Sequence, residues 1–278
     1  METSLDASPL LRSEEFIAYY GIPIIAKRDV KGVLEIFHRS ELDPDEEWLD
    51  FMETLATEAA IVVDNVSLFQ DLQQSNLELE IAYETTLEGW ARALELRDKE
   101  TVGHSRRVTD LTILLAQSLG VDDEEELINI RRGALLHDIG KMGVPDEILL
   151  KPGPLSPEEF KLMAQHPVYA YELLSIIPYL MPALDIPYYH HEKWDGTGYP
   201  LQLKGEQIPL AARIFAIIDV WDALISDRPY RPAWSTEDAI MYIREQSNTH
   251  FDPQVVKAFL QLTDDLKMKK FTGDDVLK

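Results

Sequence analysis

The chain has no cysteine. That excludes disulfides, zinc–thiolate sites and iron–sulfur clusters, and it suits a reducing compartment. No uninterrupted apolar run approaches the ~18 residues that a membrane-spanning helix needs, and the Met1-Glu2-Thr3 opening carries no basic, apolar leader. These features are expected of a cytoplasmic protein. Basic residues are also scarce, with 26 Lys and Arg against 50 Asp and Glu for a formal net charge of −24. Such a balance argues against a broad face for nucleic-acid polymers and against an anionic membrane surface. Any anionic ligand must therefore be held locally, by metal or by a few Arg and Lys. A hydrophobic content of 45% over 278 residues suffices for one large or two smaller cores.

Residues 1–13 are polar and contain Pro9, as expected of a loose leader. Phe16-Ile17-Ala18-Tyr19-Tyr20 and Ile22-Pro23-Ile24-Ile25 read as two short strands, with Asp29-Val30-Lys31-Gly32 as the turn into a third, Val33–Phe37. Asp43-Pro44-Asp45-Glu46-Glu47 has the form of a helix start, continued through Leu49, Met52, Leu55 and Ala59. From Ile61 to about Arg97 there is no proline, and Leu68, Leu72, Leu79, Tyr83, Leu87, Trp90 and Leu94 recur at helical spacing. Such a stripe is either a coiled-coil-like seam between chains or one face of a helix packed on its own domain. The run FIAYYGIPIIAKRDVKGVLEIFHRS, followed by DPDEEWLDFMETLATEAAIVVDNVSLFQDL, resembles the C-terminal half of a GAF domain and its exit helix. The pocket-forming part of that fold has no counterpart here. The resemblance thus implies a partial α+β GAF-like segment over 14–70 and a connecting helix over 71–97, used for homodimer association rather than ligand sensing.

Beyond residue 98 the periodicity is helical almost throughout. Val108, Leu111, Leu114, Leu115 and Leu119 form one apolar face ending at Gly120, and Leu127 to Ile139 form another ending at Gly140. Ser156-Pro157-Glu158-Glu159 is a capping box opening a helix that Pro167 interrupts. Further helices are expected at about 178–192, 209–226, 236–247 and 253–263, with a second box at Ser235-Thr236-Glu237-Asp238.

Five of the seven histidines stand where they could converge: His104, His137, His166, His190 and His191. His137-Asp138 closes an apolar helical segment, and a buried pair of this kind needs hydrogen bonds, opposite charge or a metal. By itself it is a structural hydrogen bond as readily as a ligand pair. Glu100 and His104 are four residues apart, the spacing that lets two side chains reach one ion, although a solvated Glu and a surface His fit equally well. Neighbouring His190 and His191 diverge by ~100° if helical, so both serve one cluster only by binding from different sides. Asp219 interrupts the apolar run Ile214–Trp221, where a lone carboxylate needs a cation or several donors, and Asp222 is one turn on as a possible acceptor for a ligand histidine. Nitrogen and oxygen donors of this kind suit iron or manganese better than a closed structural zinc site.

The motifs ELRDKETVGHSRRV, HDIGK, QHPVYAYELL, HHEKWDGTGYP, ARIFAIIDVWDAL, RPYR and HFDPQVVKAF follow one another over about residues 90–263 in the order and approximate spacing of the HD-GYP family. The resemblance implies a mainly α chain whose residues 98–278 form an all-helical HD-superfamily domain. It further implies a two- or three-metal centre that hydrolyses cyclic di-GMP to the linear dinucleotide pGpG and on to GMP. Position by position, His104, His137, Asp138, His166, His190, His191 and Asp219 match the family's metal ligands, and Glu100 matches the position that marks the three-metal branch.

Such hydrolysis needs a nucleophile at neutral pH and neutralised phosphate oxygens, which two metals with a bridging hydroxide supply. Asp138 is the natural bridging ligand. Lys141, three residues on, is expected to reach the phosphate or protonate the leaving oxygen, its other reading being a surface helix-end lysine. Tyr199, in the turn Asp195–Pro200, is a candidate to face a guanine, and Arg228 and Arg231 are candidates for phosphate or a base edge unless they pair with nearby acids. The rival readings are an HD-superfamily nucleotide phosphohydrolase of other specificity and a non-enzymatic cyclic-dinucleotide signalling module.

Overall fold

The computed structural model describes residues 15–98, 103–227 and 232–267. These residues are mainly α-helical with a single two-stranded sheet. The chain divides into two compact units, Met1–Ala82 and Tyr83–Lys278, and one helix, α1 (Glu46–Asp98), runs through the boundary.

In the first unit β1 (Ala18–Ala26) and β2 (Asp29–His38) pair antiparallel, from Ala18 opposite His38 to Ala26 opposite Asp29. The two short strands expected before residue 26 are therefore one. The turn is at Lys27-Arg28, both with left-handed φ of 50° and 75°, and not at Asp29–Gly32, which is strand. A two-residue turn with positive φ at both positions follows the strand twist, and it bears none of the Gly or Asn that would mark it in the sequence. One face of the hairpin, with Tyr20, Ile22, Leu34 and Ile36, packs on Trp48, Met52 and Ala56 of α1. Asp45 caps that helix by accepting the Trp48 amide at 2.8 Å. Farther along, Leu68, Leu72 and Leu79 are exposed.

In the second unit the same stripe changes character. Leu87 is buried with Leu136, Ile139, Ala170, Leu174 and Leu180, and Leu94 is buried too, so these two stripe positions are core of their own unit. Arg132 is also buried, bonded to Glu84 through Nε at 2.8 Å and to the Tyr179 hydroxyl. The helices of this unit are α2 (His104–Ser118), α3 (Glu124–Leu135), α4 (Asp146–Leu149), α5 (Pro157–Met163), α6 (His166–Leu174), α7 (Asp185–Tyr189), α8 (Leu210–Ile225), α9 (Thr236–Glu245) and α10 (Pro253–Lys267), and all but α4, α5 and α6 surround the main core. Val108, Leu115, Ile130, Ile214, Ile217, Ile218 and Phe251 fill it.

Two helix expectations change. The helix opened at Ser156 is interrupted as expected, but already at Met163, and Pro167 lies in the first turn of the next helix, α6, where its missing N–H is harmless. The stretch 178–192 is not one helix but a 3₁₀ segment, Pro178–Ala183, followed by α7, since Pro182 and Pro187 remove two backbone donors. No helix among the described residues is long and apolar enough to cross a membrane.

Candidate metal centre

His137 and Asp138 lie between the end of α3 and a 3₁₀ turn, Ile139–Gly143. That turn presses against the start of α6. A Cβ on Gly140 would fall 2.6 Å from the Ala170 amide nitrogen and closer still to the His166 carbonyl oxygen. Only glycine permits this approach, which sets His166 Nε2 3.4 Å from Asp138 Oδ1.

Three imidazoles are oriented by backbone carbonyls. His137 Nδ1 is 2.8 Å from the Ala134 oxygen, His166 Nδ1 2.8 Å from that of Met163, and His190 Nδ1 3.0 Å from that of Ile186. A carbonyl only accepts, so each Nδ1 carries a proton and each ring turns its Nε2 outward. Yet His166 Nε2 and His190 Nε2 are 3.3 Å apart, with the Asp138 carboxylate beside them. His137 Nε2 is 3.1 Å from Asp138 Oδ2 but not aligned for a hydrogen bond, and is buried without a partner. Buried ring nitrogens that face one another and a carboxylate form a setting suited to a cation among them.

The donors form two groups whose ligand atoms lie within 4.8 Å of one another, His166 with His190 and His191, and His104 with His137 and Asp219. Asp138 reaches both. His104 directs Nε2 to Asp219 Oδ1 at 3.6 Å and donates from Nδ1 to Asp222 Oδ2 at 2.7 Å. Asp222 is itself held by Arg107, through Nε at 2.9 Å and Nη2 at 3.0 Å, and so performs the orienting role expected of it. The rings of the His190-His191 doublet converge, even though His190 keeps helical φ and ψ of −65° and −16° where it closes α7. Its ring centroid lies 4.0 Å from that of His191, and both join His166 in one group.

The electrostatics agree with the geometry. Burial, and then the neighbouring imidazoles, hold His190 and His191 well below the usual imidazole range, and burial lowers His166. These rings keep their lone pairs. His137 goes the other way, because burial is outweighed by Asp138 and its pKa rises to about 9. Asp138 is held well below the carboxylate range by Lys141 and His137 against the effect of burial. A positive charge is thus favoured where His137 meets Asp138. Imidazole nitrogens, carboxylates and fixed Nδ1 protons fit divalent metal ions of the nitrogen- and oxygen-ligand class.

Lys141 is not a surface lysine, since its Nζ is 2.5 Å from Asp138 Oδ2 and 3.2 Å from Asp98 Oδ2. Tyr199 lies with its ring centroid 4.7 Å from that of His191, at 32°. Glu100, Arg228 and Arg231 fall outside the described residues. Three supporting residues escape a reading of motifs. Besides Gly140, Gly198 lets its turn rest on the backbone behind the doublet, where a Cβ would meet Glu192 Cα at 2.5 Å and the His191 oxygen at 2.6 Å. Buried Glu192 then accepts the Leu201 and Leu203 amides at 2.6 and 3.1 Å, fixing the turn that carries Tyr199. An acid directly after the doublet was the available signal.

The HD domain family matches residues 89–255. The cyclic di-GMP phosphodiesterase response regulator RpfG of Xanthomonas campestris is 44% identical over 198 residues, 70% of this chain and 52% of that protein. A cyclic di-GMP phosphodiesterase of Vibrio cholerae is 40% identical over 207 residues, 69% of this chain and 42% of that one. A 3′3′-cGAMP-specific phosphodiesterase of the same organism is 35% identical over 241 residues, 86% of this chain and 44% of that one. The chain spans about half the length of the curated relatives it matches. With its metal-donor groups joined through Asp138, the chain belongs to the HD domain family, and its His137-Asp138 pair and Gly198-Tyr199-Pro200 turn place it with the HD-GYP members.

Proposed function

We propose that this chain is a metal-dependent phosphodiesterase of the cytoplasm that hydrolyses cyclic di-GMP to pGpG and then to GMP. The observation that carries this reading is the pair of imidazole and carboxylate groups meeting at Asp138. The relatives named cyclic di-GMP phosphodiesterases support the substrate. Two ions, iron or manganese, would be held by His104, His137, Asp138, His166, His190, His191 and Asp219, with Glu100 and His104 completing a third site. Bound there, they supply Lewis acidity toward phosphate oxygens and a nucleophile at neutral pH.

The chain's own groups do the rest. Asp138 joins the two ligand groups. Lys141 brings an ammonium to the same carboxylate, where it neutralises the scissile phosphate and donates the proton that the leaving ribose oxygen needs. Tyr199 covers the His191 ring and keeps water from that side, leaving an aromatic edge for a base. Arg228 and Arg231 supply positive charge for the second phosphate. Residues 14–70 form a partial GAF-like segment that, with the connecting helix 71–97, associates two chains through the exposed Leu68, Leu72 and Leu79.

A second substrate, 3′3′-cGAMP, is favoured by the relative that matches 86% of this chain. A time course with anaerobically iron- or manganese-loaded protein, products separated by chromatography, tests both. Cyclic di-GMP should give pGpG and then GMP. Turnover of 3′3′-cGAMP alone would shift the reading to the second substrate, and turnover of neither would overturn it. Light scattering of the Leu72→Glu/Leu79→Glu chain should show monomers, and an unchanged dimer mass would remove the association role.

A further inference from the structure

The last turn of α1 touches the HDIGK segment through two consecutive side chains. Arg97 sends Nη1 to the Lys141 carbonyl at 2.8 Å and Nη2 to that of Val144 at 2.7 Å, while Nε and Nη2 bind Asp146 Oδ1 at 3.1 and 2.7 Å. Asp98, whose side chain is 5% exposed, lies 3.2 Å from Lys141 Nζ. The same Nζ is 2.5 Å from Asp138 Oδ2. Among the described residues the ammonium is thus shared by two carboxylates from different elements, and the backbone that bears it is clamped by a guanidinium fork.

This sharing matters because Asp138 has other work. Cations held at its carboxylate would repel an ammonium there, and a lysine stem is flexible enough to leave. A second buried carboxylate beside the site holds the ammonium near by without competing for the metal ligands. Arg97 limits the remaining freedom, since its planar fork fixes two carbonyls at once.

We infer that Asp98 and Arg97 are positioning residues for Lys141, so that the end of α1 completes the catalytic site. The inference rests on the phosphodiesterase reading and on the role it gives Lys141. Asp98→Asn should lower kcat about 10- to 100-fold with KM nearly unchanged, the loss expected when a reacting group is misplaced by roughly an ångström. Asp98→Glu should recover part of it, and Arg97→Lys should fail to replace the fork.

The deciding experiment is a double-mutant cycle with Lys141→Met, read alongside metal content and the rate at which an amine-reactive reagent labels Lys141 in metal-loaded, substrate-free protein. Asp98→Asn should cost nothing further once Lys141 is Met, should leave metal content unchanged, and should raise Lys141 labelling several-fold. Additive losses, unchanged labelling, or loss of an ion in Asp98→Asn would each overturn the inference. Should Asp98→Asn fail to fold by circular dichroism, Asp98→Glu and Arg97→Lys take its place in the labelling comparison. If the wild-type protein does not cleave cyclic di-GMP, the functional reading falls, while labelling still decides where Lys141 is held.

Discussion

Gly140→Ala is the sharpest test of how this site is assembled. The added methyl carbon would lie 2.6 Å from the Ala170 amide nitrogen, where ordinary contact begins at 3.4 Å, and it would press harder on the His166 carbonyl oxygen. Both atoms are backbone, so no rotamer change relieves the clash. Either the 3₁₀ turn or the start of α6 must retreat, and by more than the ~0.8 Å that relief of the Ala170 contact alone requires. Overpacking of this kind costs about 1–3 kcal/mol, which in a unit the size of Tyr83–Lys278 lowers Tm by roughly 2–12 °C. The effect on turnover should be larger than that loss of stability suggests. His166 moves with the backbone, and a misplacement near 1 Å costs on the order of 100-fold in rate. Thermal unfolding, metal content and kcat measured on one preparation separate these consequences. A destabilised variant that keeps its metal and its turnover would show that this contact does not set the position of His166, and a variant unchanged in all three would refute the packing argument outright.

Asp138→Ala should abolish hydrolysis while leaving the helical circular dichroism intact, and near-normal turnover in a fully metallated variant would remove Asp138 from the centre. Glu100→Ala should contain one ion fewer per chain by elemental analysis, whereas equal content would return Glu100 to a solvated helix face. Burial, and then the charge of Lys193, lower His250 from 6.5 to about 4. The unfolded chain therefore takes up this proton first, so His250 contributes fully above pH 6.5 and its contribution is lost as pH falls toward 4. The slope of Tm against pH across that window should be shallower in His250→Gln, and parallel slopes would dismiss the effect.

Much of the second unit was legible along the chain because its signals are local. Ser156 accepts the Glu159 amide and Ser235 that of Asp238, as their capping sequences require. The mainly helical character followed from apolar spacing, and the chemical types of the metal donors from the motifs. The apolar stripe on α1 was visible too, but not its fate. Periodicity reports that Leu72 and Leu87 share a kind of surface, whereas only tertiary packing decides that Leu87 meets Leu136 and Ala170 while Leu72 stays exposed. The hairpin turn at Lys27-Arg28 escaped because neither residue advertises positive φ, and the expected 178–192 helix broke at its own prolines.

By itself the sequence determined which donors exist and in what order, since residue identity and neighbours within a helical turn suffice for that. The tertiary structure alone decided that His104, His137, His166 and His190, borne by different elements, turn their Nε2 atoms toward shared sites. It alone revealed that Gly140 is needed for a close approach between backbones, and that Asp98 meets a lysine 43 positions away. Those contacts depend on the burial of surfaces distant along the chain, and no local preference encodes which surface will cover another.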